Sequence, residues 1–307
     1  MKLNVIFSFR NEEENIPELI SRVVNTLSKI KDLSYELIFV NDCSTDRSLE
    51  MLLDFKKTLP IKILNTSRKF GYHACALAGF SYADGDAIIY MDCDLQDPPE
   101  LMPEMIARYR QGVDVVHTTR ITRAGESFMK LLLTKWAYKI INFVSDISLP
   151  ENTGDFKLLS SKALKQILQL REYDPYLRGL SVWIGFKQEF ILYNREARFG
   201  GKSKVPLLGS LAPSREFIRA ITSFSAAPLY IAIFIGLGSI GVSMSLITYA
   251  LIAKALGIAA PGASGIIIAI AFFSGVILFT NGMIGMYIAR IYNSIKGRPS
   301  CIIAEVI

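Results

Sequence analysis

Three aspartates, Asp92, Asp94 and Asp97, lie within six residues directly after the apolar run 87–91. Alternate residues of an extended segment share one face, so Asp92 and Asp94 can hold a single hard cation together, with Gln96 as a neutral third ligand. Oxygen ligands suit Mg²⁺ or Mn²⁺, and such sites usually take their remaining ligands from the phosphates of a substrate. The spacing therefore predicts a divalent metal that binds a phosphate-bearing ligand.

Short apolar runs alternate with amphipathic stretches through the first two thirds of the chain. The runs are 3–9, 35–40, 61–65, 86–91 and 114–119. Near-continuous apolar strands separated by helices predict a mostly parallel sheet covered on both faces, an α/β, Rossmann-like domain. In such sheets ligands bind beyond the carboxyl ends of the strands.

Two more polar clusters follow predicted strands: residues 10–15 follow the first strand and residues 41–46 follow the second. Together with 92–97 they should lie on one rim of the sheet, as a ligand site requires. A purely structural role stays open for each cluster, because Asn15 and Asp46 precede helical stretches and could cap them.

The last third of the chain is apolar, and between residues 225 and 292 the only charged residues are Lys254 and Arg290. Two blocks, 226–253 and 265–292, each exceed the roughly 20 residues that a membrane-spanning helix needs. Glycines and a proline in the connection break the helical pattern. We therefore expect a two-helix transmembrane hairpin.

These patterns predict a domain at 1–210, an interfacial linker helix at 211–224, and a membrane domain at 225–307 that ends in a short tail. Basic residues flank the outer ends of the two spans, whereas Lys254 lies alone between them. By the positive-inside rule, the first domain and both termini face the cytoplasm of an inner (plasma) membrane. No cleavable signal peptide is expected at the start of the chain.

The net charge is +6, and the basic residues gather near the membrane-proximal end, which favours anionic lipid over nucleic acid as a partner. The four cysteines lack metal or disulfide spacing, as is typical of a reducing compartment. Transport is disfavoured because the two spans carry no acidic residue. The run 236–241 matches a dinucleotide fingerprint but lies within a predicted span, so it indicates helix packing, within the hairpin or in a homo-oligomer.

Seven motifs resemble one enzyme family: RNEEENIPEL, VNDCSTDRS, SRKFGYHACALAGF, MDCDLQDPPE, NTGDFKLLS, REARFGGKSK and ITSFSAAPL. They resemble the inverting glycosyltransferases of family 2, which have the GT-A nucleotide-binding fold. Within that family the chain looks like the polyprenyl-phosphate glycosyltransferases, the group of bactoprenol glucosyltransferase and dolichyl-phosphate mannose synthase. The resemblance implies metal-dependent transfer of a hexose, with UDP-glucose the favoured donor, to undecaprenyl phosphate. GDP-mannose, a UDP-linked amino sugar, or an inactive lipid-binding scaffold are the alternatives.

The resemblance also assigns roles to individual residues. The nucleotide sugar would be bound by Ser8, Arg10, Glu12, Asp42, Arg68, Asp92, Asp94 and Arg120. The metal would be held by Asp92, Asp94 and Gln96. The acceptor phosphate would be bound by Lys130, Arg198, Ser203 and Lys204. The catalytic residues would be Asp94, Asp155 and Arg198. Two positions depart from the family pattern: Ser8 replaces a proline and Arg10 replaces a tyrosine.

Breaking a sugar–nucleotide bond develops negative charge on the departing diphosphate, which a metal and cationic side chains stabilise. A polyprenyl phosphate is already an anion, so no strong base is needed. Asp155 would then orient the nucleophile or the sugar hydroxyls, although a loop role such as an Asx-turn is the alternative. The basic run 195–204 either binds the acceptor phosphate or tethers the chain to anionic lipid. Residues 128–144 form either a membrane-surface helix or an ordinary amphipathic one.

Overall fold

The computed structural model describes the chain except for residues 122–135, 137, 146–151, 171, 173, 197–198, 201–211 and 258–261, and except for the side chains at 212–214, 263–264 and 267. The chain divides into two compact units. The first comprises Met1–Ser223 together with Arg298–Ile307, and the second comprises Phe224–Gly297.

The first unit is built on a sheet of eight strands: β1 (Lys2–Phe9), β2 (Ser34–Asn41), β3 (Ile61–Thr66), β4 (Ala87–Asp92), β5 (Val115–Arg120), β6 (Thr153–Ser160), β7 (Gln188–Tyr193) and β8 (Ile303–Val306). Their spatial order is β7-β5-β6-β4-β1-β2-β3-β8. β6 runs antiparallel to both of its neighbours and β8 runs antiparallel to β3, while the other pairings are parallel. The predicted mostly parallel α/β sheet is confirmed.

The described helices of this unit are α1 (Ile16–Leu27), α2 (Ser48–Lys56), α3 (Tyr72–Ser81), α4 (Met102–Arg110), α5 (Ser161–Gln169), α6 (Leu177–Trp183) and α7 (Ala212–Phe224). A short 3₁₀ turn, Pro99–Leu101, precedes α4. The connections between the parallel strands β1, β2, β3 and β4 each contain one helix, as parallel pairing requires.

Two buried layers hold the sheet, one on each face. On one face α1 buries an apolar stripe with helical spacing, and the rings of Phe7 and Phe39 stack with their centroids 4.8 Å apart. On the other face α3 packs against β1 so closely that a Cβ atom on Gly79 would collide with the side chain of Ile6. Glycine at position 79 therefore sets the distance between α3 and the sheet.

The C-terminal residues differ from the predicted tail. Ile303–Val306 form β8, which pairs with β3 through Leu64 and Val306 and through Asn65 and Glu305. The amide of Ser67 donates to the carbonyl of Ile302 at 3.0 Å. The sequence missed this strand because four residues, three of them exposed, carry too little periodicity to identify it.

The second unit contains two long helices, α8 (Ala227–Ala255) and α9 (Ala263–Ile295). Both are long and apolar enough to cross a membrane by length and composition. The hydroxyl of Tyr287 donates to the carbonyl of Ser225 at 2.8 Å, so α9 contacts the residues that precede α8. The two helices lie close to the predicted spans 226–253 and 265–292, and their orientation in a membrane stays a prediction.

Candidate active site

All three predicted polar clusters lie at the same rim, because β1, β2 and β4 run parallel and end there. The first two clusters are tied together by hydrogen bonds. The amide of Asn11 donates to Oγ of Ser44 at 3.1 Å, and the amide of Thr45 donates to Oδ1 of Asn11 at 2.8 Å. Asp46 accepts from the amides of Glu13 and Ser48, so its carboxylate also helps to cap α2.

Glu12 and Asp42, the expected base and ribose contacts, are both buried at this rim. Glu12 accepts a hydrogen bond from the side-chain amide of Asn15 at 2.6 Å. Asp42 accepts from the amides of Phe70 at 2.7 Å and Gly71 at 3.1 Å. A carboxylate has about four acceptor sites, so Asp42 retains capacity for a ligand while fixing the loop before α3.

The two departures from the family pattern lie at the end of β1. Oγ of Ser8 lies 2.8 Å from the hydroxyl of Tyr90 on the neighbouring strand β4. Arg10 is the first residue after the strand and is half-buried. Arg68 lies in the loop after β3, where its guanidinium is 4.1 Å from the ring centroid of Phe70 in a cation–π contact.

Asp92 ends β4, and Asp94 and Gln96 follow it in a turn with Leu95 at φ 57°. All three predicted metal ligands are half-buried, and the residues between them are buried, so the three share an accessible side. Burial raises the pKa of Asp92 well above its usual range, and the carboxylates of Asp94 and Asp155 raise it further. This accumulation of negative charge favours a bound cation.

Among the residues that the structure describes, no group of three or more His, Cys, Asp or Glu side chains is arranged to hold a metal ion. The pair Asp92 and Asp94 nevertheless fits Mg²⁺ or Mn²⁺, because Mg²⁺ is commonly held by one or two carboxylates together with substrate phosphates. The amide of Gln96 donates to Oδ1 of Asp94 at 3.2 Å, which orients that carboxylate. The arrangement is consistent with a metal that is completed by a substrate.

Arg120 is the last residue of β5, and the buried carboxylate of Asp97 holds its guanidinium in place. Its Nη2 lies 3.3 Å from Oδ1 of Asp97, and its Nε donates to the hydroxyl of Tyr193 at 3.0 Å. Tyr193 in turn donates to Asp97. Burial opposes the charge on Arg120, but Asp97 and Tyr193 together more than compensate and raise the pKa of the guanidinium. Arg120 is therefore a fixed, permanent cation at the rim.

Asp155 lies on β6, whose first residues reach the same rim because the strand is antiparallel. It is buried, and both of its oxygens accept from Nε of Arg178 at 3.0 Å, with a further bond from Nη2. Burial alone would raise the pKa of the Asp155 carboxyl, but the Arg178 guanidinium holds it below its usual range. Asp155 is thus ionised at neutral pH and is a weak base.

A second buried pair lies next to the first. Lys157, two residues after Asp155 on the same face of β6, donates to Oγ of Ser181 at 2.9 Å. Burial lowers the pKa of Lys157 to about 8, although Asp155 opposes the shift. Nearby on α3, Nε2 of His73 lies 3.3 Å from Oε1 of Glu216 on α7. Asp155 is therefore bordered by positive or titratable groups.

Four predicted site residues, Lys130, Arg198, Ser203 and Lys204, lie outside the described residues. Sequence reasoning gave no role to four others that the structure places at the site: Asp97, Lys157, Arg178 and Tyr193. Asp97 had a signal, since it belongs to the same acidic motif as Asp92. Arg178 had none, because an isolated arginine in a helical stretch is typical of a solvated surface.

Residues 4–168 match the model of the family described as glycosyl transferase family 2. The chain is 39% identical, over 100% of its length and 96% of the relative's, to an uncharacterized glycosyltransferase of Synechocystis sp.. It is 33% identical, over 99% of its length and 98% of the relative's, to the SfII prophage-derived bactoprenol glucosyl transferase of Shigella flexneri.

Among solved structures, the chain is similar to glucosyl-3-phosphoglycerate synthase of Mycobacterium tuberculosis, crystallised with Mn²⁺, UDP-glucose and phosphoglyceric acid. The TM-score is 0.50 at 15% identity, over 72% of this chain and 77% of that one. This likeness concerns the fold and agrees with the expected GT-A architecture. The family match covers more than half of the chain and the relatives match along nearly all of it. The chain therefore belongs to glycosyl transferase family 2 and is a glycosyltransferase.

Proposed function

We propose that this enzyme transfers glucose from UDP-glucose to a polyprenyl phosphate, with undecaprenyl phosphate as the acceptor. The observation that carries the proposal is the similarity of 33% identity along almost the whole chain, including both apolar helices, to a bactoprenol glucosyl transferase. The site supports it, because carboxylates suited to a metal lie beside cations suited to phosphate.

The donor would bind across the carboxyl ends of β1, β2 and β4. Glu12 and Asp42 would contact the nucleoside, while Arg120 would stabilise the diphosphate. Asp92, Asp94 and Gln96 would hold Mg²⁺ or Mn²⁺, which when bound supplies stabilisation of the negative charge on the leaving group. Fixed cations such as Arg120 contribute most where that charge develops.

In the reaction, an oxygen of the acceptor phosphate forms a bond to the anomeric carbon of glucose. The bond from that carbon to the β-phosphate oxygen of UDP breaks, and its electron pair leaves with UDP. The nucleophile carries no proton at neutral pH, so no base has to remove one. Asp155 is a weak base, and we assign it an orienting role. Attack opposite the leaving group inverts the configuration and gives a β-linked product.

The helices α8 and α9 would anchor the enzyme in the inner membrane, where its acceptor is found. Basic residues flank the outer ends of the two helices, so the catalytic unit and both termini would face the cytoplasm. Lys130, Arg198, Ser203 and Lys204 would bind the acceptor phosphate near the membrane surface. Association into homo-oligomers through the apolar helices stays a prediction.

The test is nucleotide release by the purified, detergent-solubilised enzyme with undecaprenyl phosphate and either Mg²⁺ or Mn²⁺. UDP-glucose, UDP-galactose and GDP-mannose are offered separately, each with and without the lipid. We expect UDP from UDP-glucose only when the lipid is present, and loss of turnover with a chelator. Turnover of GDP-mannose would overturn the donor, whereas release without the lipid would overturn the acceptor.

A further inference from the structure

The ion pair between Asp155 and Arg178 is asymmetric in its exposure. The side chain of Asp155 is 6% exposed, whereas that of Arg178 is 33% exposed. Nε and Nη2 of Arg178 donate to Asp155, and no hydrogen bond joins its Nη1 to another of the described residues. A guanidinium has five N–H donors, so this one keeps donors for another partner.

The partly exposed guanidinium of Arg178 is also held rigidly. Arg178 lies at the start of α6, and Ser181, one turn later, donates to the Arg178 carbonyl at 3.0 Å. Ser181 accepts the bond from Lys157. Two contacts between β6 and α6 thus fix the backbone and the side chain of Arg178 together. A cation fixed in this way loses little conformational freedom when it binds an anion.

The excess of positive charge around Asp155 favours binding of an anion. One carboxylate, Asp155, faces two cations, Arg178 and Lys157. A phosphate would balance this excess, and the planar guanidinium fits its oxygens with parallel hydrogen bonds. The cluster is part of the candidate site, because Asp155 also acts electrostatically on Asp92.

The proposed donor and acceptor both carry phosphate, and different arginines lie near the two proposed binding sites. Arg120 acts on Asp92, at the predicted metal carboxylates, and so lies on the donor side. The strongest charge interaction of Arg178 is with Asp155 instead. We propose that Arg178 binds the phosphate of the acceptor and that Asp155 holds Arg178 in place for this purpose. This inference rests on the proposed function and specifies one residue of its acceptor site.

The experiment compares Arg178→Gln and Arg178→Lys with wild type in the lipid-dependent assay, with the donor and acceptor varied separately. The loss of a charge-assisted hydrogen bond predicts a rise of about tenfold to a hundredfold in the acceptor KM for Arg178→Gln, with the donor KM within about twofold. Arg178→Lys should give an intermediate acceptor KM, since lysine keeps the charge but not the fork.

The matched control is Arg108→Gln, an arginine of similar exposure paired with Glu104 and Glu189 on another part of the unit. It should leave both KM values unchanged. Binding of UDP with Mn²⁺ checks that each variant is folded. If Arg178→Gln does not fold, Arg178→Lys decides, and an acceptor KM equal to that of wild type then overturns the inference.

A fall in kcat with an unchanged acceptor KM would also overturn the inference, because it would mean that Arg178 only positions Asp155. A rise in the donor KM alone would assign Arg178 to the donor instead. Failure of the wild-type enzyme to use any polyprenyl phosphate is a different outcome, since it would remove the proposed function itself.

Discussion

Substitution Asp97→Asn should destabilise the catalytic unit far more than a carboxylate-to-amide change usually does. The side chain of Asp97 is 1% exposed and that of its partner Arg120 is 10% exposed. Arg195 adds a second cationic contact, 3.9 Å from the same carboxylate oxygen. Asparagine keeps the size but removes the charge, so Arg120 would remain buried without its counterion.

Breaking a buried ion pair from one side costs about 3–5 kcal/mol, because the remaining charge stays desolvated. At about 2–4 °C per kcal/mol for a domain of this size class, the melting temperature should fall by about 6–20 °C. The control is Asp84→Asn, which removes the same charge from the ion pair with Lys2, where the Asp84 side chain is 63% exposed. Exposed pairs contribute only about 0–1 kcal/mol.

The assay is thermal unfolding of the detergent-solubilised full chain, followed by a signal from the α/β unit, in parallel with turnover. Asp97→Asn should also lower kcat, since Arg120 would no longer be fixed at the proposed binding site of the donor diphosphate. Equal melting temperatures for the two variants would refute the reasoning, because they would show that Asp97 does not stabilise the buried charge of Arg120.

Three further predictions concern the metal, a buried lysine and the last strand. Asp94→Ala should abolish turnover while leaving the melting temperature within about 2 °C of wild type, as expected for a metal ligand on the accessible side of its turn. Near-normal metal-dependent activity would contradict the assignment of Asp94 as a metal ligand. Burial holds the folded pKa of Lys157 at about 8, below its unfolded value, so the folded state binds fewer protons between pH 8 and about 10.4 and its stability rises with pH there. Relative to Lys157→Met, the wild type should therefore gain up to about 3 kcal/mol across that window in denaturant unfolding, and a pH-independent difference would exclude this effect. Removal of residues 301–307 should cost about 2–5 kcal/mol, because it deletes the pairing of β8 with β3 and three further backbone hydrogen bonds to β3 and the following loop; an unchanged melting temperature would show that β8 is dispensable.

The alternation of strands and helices in the first half of the chain and the rim that carries the site could be predicted because both depend on local patterns. Apolar runs such as 35–40 and 86–91 identify strands directly, and parallel pairing then places Asp42 and Asp92 at one rim. The apolar blocks near 226–253 and 265–292 have an equally strong signal, because their length and composition are those of helices able to cross a bilayer.

Partners distant in the sequence could not be predicted in this way. Arg178 reaches Asp155 across 23 residues, and Tyr193 reaches Asp97 across 96. Such pairs depend on the antiparallel insertion of β6 between β4 and β5. The hydrophobic periodicity of the sequence does not reveal this insertion. The resemblance named Arg120 as a site cation, but only the fold shows that Asp97 pairs with Arg120 and that Arg178 pairs with Asp155.

The charges on the two sides of Asp155 require opposite ligands. Toward β4, Asp92 and Asp94 place carboxylates so close together that a cation is favoured. Toward α6, Arg178 and Lys157 outnumber the single carboxylate, so an anion is favoured. A nucleotide diphosphate normally carries a divalent cation, whereas a lipid monophosphate needs cations from the protein. Under the proposed reaction, the site therefore separates its two substrates by charge. Asp155 lies between the two binding sites, where it would orient the acceptor phosphate toward the sugar of the donor.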